Sequence, residues 1–182
     1  MLNLNERKWL SFRILSLFDY QRGNQNNMNA LIDGNDMLVS AKNINNGLKG
    51  FFSSNSKKEK YKGHCITLNN DGDGGVGLAY YQPYEFLLDT HVYALYPRQH
   101  LSRYMMMFIA QSMSKQRVCF SHGYSINQNR LKEIKIVLPI NENCEPDYAF
   151  MEQYIKEREE QLIQKYKSFI GKNIQTGGTE TL

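Results

Sequence analysis

After Pro146-Asp147, apolar side chains fall at Tyr148, Met151, Ile155, Leu162, Tyr166 and Phe169. Of these, Tyr148, Ile155, Leu162 and Phe169 follow one another at seven-residue intervals, with charges filling the remaining faces. A seven-residue apolar repeat keeps one seam of a helix turned toward one partner, and so predicts a long amphipathic helix over 146–174. Arg158 and Glu159 interrupt the seam, so the coil is imperfect. Such a helix either lies along its own domain or pairs with a second helix. Length and charge favour pairing, with Tyr148, Met151, Ile155, Leu162, Tyr166 and Phe169 as the dimer or subunit interface. Residues 175–182 read as a disordered polar tail.

Upstream, residues 1–145 read as one strand-rich globular domain. Apolar residues make up 41% of the 182-residue chain, enough to build a core rather than a disordered coil. Trp9 to Phe18 mixes apolar and polar residues as a half-buried strand or short helix does, and Asp19 to Asn24 breaks it. Strands are expected at Asp36–Ala41, Lys49–Phe52, Gly63–Leu68, Leu78–Pro83 and His91–Pro97, joined by Asn-, Gly- and Lys-rich loops. From Ser102 the spacing of Tyr104, Met105, Phe108, Ile109 and Met113 is helical to about Lys115. Leu131 to Leu138 reads as a last strand, closed by Pro139. The fold class is α+β, with at least one packed helix ahead of the long C-terminal one.

Several chemistries are excluded. No apolar run is long enough to cross a bilayer, and the first residues lack the order of a secretory signal, so the chain reads as soluble and cytoplasmic. Cys65, Cys119 and Cys144 lack the spacing of a disulfide framework or a zinc site. His64, His91, His100 and His122 show no metal-ligand spacing either. Gly72 to Gly77 matches GxGxxG, but Leu78-Ala79-Tyr80-Tyr81-Gln82-Pro83 follows it and cannot supply the helix that a dinucleotide site needs. Glu133-Ile134-Lys135 and Pro146-Asp147 resemble the halves of a nuclease metal site in the wrong order. No nucleophile elbow and no amino-methyltransferase motif occurs. The chain is expected to carry no catalytic centre, no metal and no cofactor.

What remains suits a polyanion. Net charge is +4, and Lys42, Lys49, Lys57, Lys58, Lys60 and Lys62 crowd one stretch. Ser40 to Gly50 combines Lys42 and Lys49 with Asn43, Asn45 and Asn46; asparagine pairs bidentately with adenine in the major groove. Lys57, Lys58, Lys60 and Lys62 are suited to phosphates. Phe120 to Arg130 offers His122, Tyr124, Asn127, Gln128 and Arg130 to bases. Each loop alone is more commonly a solvated turn; several together in a basic domain without catalytic features favour binding.

In order and spacing, the chain resembles the target-recognition domain of type I restriction–modification DNA specificity subunits, and the recognition subunits of type IIB systems. The resemblance runs through Trp9, Phe18 to Gly23, Val39-Ser40-Ala41, Asn45-Asn46-Gly47, Gly63 to Thr67, Gly72 to Gly77 and Tyr80-Tyr81. It closes with Arg130, Ile136 to Ile140 and Pro146 to Ile155. It implies a globular unit that grips double-stranded DNA, followed by a helix that pairs as an antiparallel coiled coil. It also implies methyltransferase subunits as partners, with S-adenosylmethionine held there, and through them a restriction subunit. Full-length members carry two domains and two helices. One domain and one helix here imply either a half-subunit that forms a homodimer or a piece of something longer. The alternatives are a module of a fused restriction–methylation enzyme, a protein-interaction adaptor, and a nuclease using Glu133.

Overall fold

A computed structural model describes residues 2–26, 31–53, 59–72, 75–117 and 125–176, with side chains as far as 171. Nine strands and four α-helices fall within these. They are β1 (Trp9–Arg13), α1 (Ile14–Leu17), β2 (Phe18–Arg22), β3 (Asp33–Val39), β4 (Leu48–Phe52), β5 (Cys65–Asn69), β6 (Ala79–Gln82), β7 (Leu87–Leu88) and β8 (Val92–Pro97). Then follow α2 (Arg103–Lys115), α3 (Gln128–Glu133), β9 (Lys135–Pro139) and α4 (Tyr148–Thr176). The α+β class expected from the sequence is borne out.

The central sheet has the order β2-β8-β5-β6, all antiparallel. A second sheet, β4-β3-β7, pairs β3 antiparallel to β4 and parallel to β7. β1 and β9 form an antiparallel ribbon. β8 shows how the layers stack. Tyr93 and Leu95 enter the main core with α2, while Val92 and Ala94 enter a smaller core with Val39, Tyr61, Cys65, Phe86 and Leu88. Both faces of the strand are therefore covered, so its apolar run is continuous rather than half-buried.

Two expectations need correction. The sequence breaks at Asp19, yet β2 continues to Arg22, because Phe18 to Arg22 pair in register with Pro97 to Tyr93. The strand expected over Leu131–Leu138 is split, with α3 ending at Glu133 and β9 starting at Lys135. The Asn127 side chain accepts the Arg130 N–H at 2.9 Å, an N-cap that starts this short helix. α2 starts the same way, with the Ser102 hydroxyl accepting the Met105 N–H.

Helix α4 has two unlike halves. At its start the Asp147 carboxylate accepts the Phe150 N–H at 3.0 Å and pairs with the Arg7 guanidinium. Arg7 also lies over the Phe150 ring, 4.6 Å from its centroid. Phe108 of α2 meets Trp9, Phe150 and Tyr154 in one aromatic cluster. Further along, the Leu2 N–H donates to Glu157 at 2.9 Å, and the Tyr104 hydroxyl donates to Glu159. Met151 is fully buried, and Tyr148 and Ile155 pack half-buried on the same core. Met151 therefore belongs to the domain and not to an outward seam. Beyond Glu159 the helix leaves the domain with Leu162, Ile163, Tyr166, Phe169 and Ile170 all exposed. Residues 177–182, the rest of the expected tail, lie outside the described residues.

The two described cysteines differ in environment. Cys144 is exposed, and burial pushes the Cys65 thiol up to about 12 from 9.0, against a weaker opposing hydrogen bond with Tyr96. Above pH 9 the folded state keeps a proton that the unfolded state releases, so this group's contribution to stability falls as pH rises toward 12. Alkylation of the native protein at pH 8, mapped by peptide mass, is expected to label Cys144 rapidly and Cys65 only after denaturant is added.

Candidate nucleic-acid interface

The segment from Ser40 to Gly50 leaves β3, crosses the β5–β6 face and returns as β4. It is tightly tied. The Lys42 N–H donates to the Ser40 carbonyl at 2.7 Å, the Gly47 N–H to Ile44 at 3.0 Å, and the Ser40 N–H to Gly47 at 2.9 Å. Asn45 and Asn46 both sit at φ 52° and Gly47 at φ 79°, three successive left-handed residues. Asparagine and glycine are the residues that tolerate this region, which is the local reason for the Asn45-Asn46-Gly47 sequence.

Buried side chains beneath hold the loop from below. The Asn69 amide donates to the Lys42 carbonyl at 3.1 Å, and the Tyr80 hydroxyl donates to the same oxygen at 3.4 Å. Gln82, only 4% exposed, donates to the Asn46 carbonyl at 2.9 Å and to the Thr67 hydroxyl at 3.1 Å. Buried amides need partners, and here the loop's carbonyls supply them. The backbone faces inward, leaving Asn43, Asn45, Asn46 and Lys49 exposed and Lys42 half-exposed. The glycine turn leans on the same loop: a Cβ on Gly75 would come within 2.9 Å of the Ala41 carbonyl. Gly75 thus serves close backbone approach, and β6 opens soon after at Ala79.

The Ser125 to Arg130 segment joins the other side of the same strand end. The Ile126 N–H donates to the Asn70 carbonyl at 2.7 Å. Arg130 donates to the Ser125 carbonyl at 2.6 Å, so its guanidinium braces the loop. Between this segment and Asn70 opens a polar cleft of about 390 Å³, lined by Asn127 and Gln128 with Arg22 and Asp71. Asn69 and Asn70 thus knit together two of the stretches singled out from sequence: Lys42–Lys49 on one side and Asn127–Arg130 on the other.

The lysine-rich stretch goes elsewhere. The Lys60 ammonium pairs with Asp36 of β3 at 2.5 Å, which raises its pKa and offsets its charge. Lys62 is exposed, and its carbonyl accepts the Tyr96 hydroxyl at 3.2 Å, at the Cys65 end of β5 rather than the Asn69 end. Lys57, Lys58, His122 and Tyr124 lie outside the described residues. Glu133, the carboxylate of the ExK match, pairs with Arg13 at 3.1 Å on the surface. No group of three or more His, Cys, Asp or Glu converges among the described residues.

Sequence reading missed Arg22, Asn70, Asp71 and His91 at this end. The Arg22 Nε donates to the Thr90 carbonyl at 3.1 Å. The His91 Nδ1 lies 2.9 Å from Asp89, and the His91 carbonyl accepts the Asn70 N–H. The available signal was polar residues inside or just beyond apolar strands, as at Asn69 and Gln82.

The family model described as type I restriction modification DNA specificity domain matches residues 6–167. The chain belongs to that specificity family. A curated relative in Heyndrickxia coagulans, described as the specificity subunit of a type II restriction enzyme, is 28% identical over 165 residues, covering 88% of this chain and 46% of its own length. The S subunit of a type I restriction–modification system from M. genitalium has the same fold, with a TM-score of 0.60 at 13% identity, over 94% of this chain and 44% of that one. The HsdS subunit from Thermoanaerobacter tengcongensis gives 0.57 at 14% identity, over 88% and 39%. The specificity-family chain described here therefore spans under half the length of these relatives.

Proposed function

We propose that this member of the specificity family reads a double-stranded DNA sequence on behalf of a separate restriction–modification enzyme. The observation that carries this reading is the convergence of the Lys42–Lys49 loop and the Asn127–Arg130 segment on the Asn69–Asn70 end of β5. Rigid loops with outward amides and ammonium groups suit base edges and phosphates respectively. Asn43, Asn45, Asn46 and Gln128 are assigned to bases, and Lys42 and Lys49 to phosphates. Asn127 and Arg130 position the second loop. Lys57, Lys58, His122 and Tyr124 keep the roles expected from sequence.

The catalytic work falls to a methyltransferase partner that holds S-adenosylmethionine, with a restriction subunit recruited through it. The distal half of α4, through Leu162, Tyr166 and Phe169, pairs with the same helix of a second copy, which presents two recognition domains to a two-part inverted site. The relative described as a type II specificity subunit favours a second reading, the same task within a type II system.

The phosphate assignment has a direct readout. Affinity for a random-sequence duplex is measured between 50 and 200 mM salt for the wild type, Lys42→Ala and Lys49→Ala. Each variant is expected to bind all sequences more weakly and to reduce the slope of log affinity against log salt by about 1. Unchanged slopes in both would remove these lysines from the interface.

A further inference from the structure

Ile44 stands at the outer end of the Lys42–Gly47 loop, 57% exposed, between the polar side chains of Asn43 and Asn45. A single exposed isoleucine on a mobile loop would mean little. This one is held. Its own carbonyl accepts the Gly47 N–H, and its backbone is extended, at φ −130° and ψ 163°. On either side, the Lys42 and Asn46 carbonyls are fixed from beneath by the buried Asn69 and Gln82 amides. Immediately after it the chain turns through three left-handed residues. The loop backbone therefore presents Ile44 in one direction, together with its neighbouring amides.

A branched hydrocarbon makes no hydrogen bond. Among the major-groove edges of the four base-pair orientations, only thymine offers an apolar group, its C5-methyl. We infer that Ile44 is a specificity-determining residue that reads thymine by covering its C5-methyl group, beside the amide contacts of Asn43 and Asn45. This deepens the DNA-recognition reading above and rests on it. Burial of one methyl group against the side chain corresponds to a preference of about four-fold for thymine over the same pair without the methyl.

Deoxyuridine removes that methyl and nothing else. The full-length chain, wild type and Ile44→Ala, is used to select duplexes from a randomised pool. Affinities for the selected duplex are then measured with each thymidine replaced in turn by deoxyuridine. The wild type is expected to lose about four-fold at one thymine, and Ile44→Ala to lose nothing further there. Ile44→Val, which keeps a branched side chain, is expected to retain most of the preference. Because Ile44 is exposed, matched unfolding midpoints serve as the control for folding.

An equal deoxyuridine penalty in Ile44→Ala and wild type would overturn the inference while leaving DNA recognition intact. So would a loss of affinity in Ile44→Ala with no deoxyuridine penalty in the wild type, the pattern of a wedge between base steps. Failure of the wild type to enrich any sequence would overturn the recognition reading itself, and this inference with it.

Discussion

Replacing Met151 with alanine is expected to destabilise the fold by about 2–5 kcal/mol, whereas Leu162→Ala leaves the unfolding midpoint of the dilute chain unchanged. Both residues belong to one apolar pattern on one helix. Met151 has no exposed surface and lies in the main core with α2, so truncation leaves a cavity in that core. Leu162 is 66% exposed and touches no part of that core. Denaturant titration at concentrations low enough to prevent association separates the two. Equal losses would mean that the distal half of α4 folds back on the domain.

The complementary result concerns assembly. Changing Leu162 and Phe169 together to glutamate is expected to weaken self-association at least a hundred-fold, with the dilute chain's stability unaffected. Leu162, Tyr166 and Phe169 stand at helical spacing on one stripe, with Ile163 and Ile170 beside it. Helix α4 is 29 residues long, about 44 Å, and beyond Glu159 its large apolar side chains from Leu162 to Ile170 are exposed among the described residues. In a paired helix, two carboxylates at seam positions would be desolvated without partners, a cost of several kcal/mol. Light scattering over a concentration series reads this directly. If the wild type stays monomeric throughout, the stripe meets a different partner, and the methyltransferase is the next component to add.

Local pattern made some elements legible in the sequence. Helical spacing from Tyr104 to Met113 gave α2, and the seven-residue repeat gave α4. What escaped depends on partners distant in sequence. β2 is extended by β8, some seventy residues away, which overrides the polar Asp19–Arg22 composition. α3 is only six residues long with one buried side chain, Leu131, so no periodicity marks it, and Asn127 is its one local sign. The division of α4 could not be read from its repeat. It depends on α2 and on the first ten residues, which bring Leu2 and Arg7 against it and stack Trp9 on Phe108 of α2.

The candidate interface was half legible for the same reason. Outward residues such as Asn43, Asn45 and Lys49 are visible as a polar, basic loop. Their supports, Asn69 and Gln82, lie in strands and act on carbonyls 27 and 36 residues away. Lys60 looked like part of a basic patch, but Asp36 is brought beside it only by the fold.

Sequence-specific DNA recognition is tested most directly by enrichment of duplexes from a fully randomised pool by the purified full-length chain, followed by sequencing of the bound fraction. Sequencing is expected to return one defined motif, weakened or altered by changing Asn43, Asn45 or Asn46 to alanine and merely bound less tightly by Lys42→Ala. Retention of DNA with no sequence enriched, in a chain shown to be folded and paired, would contradict it.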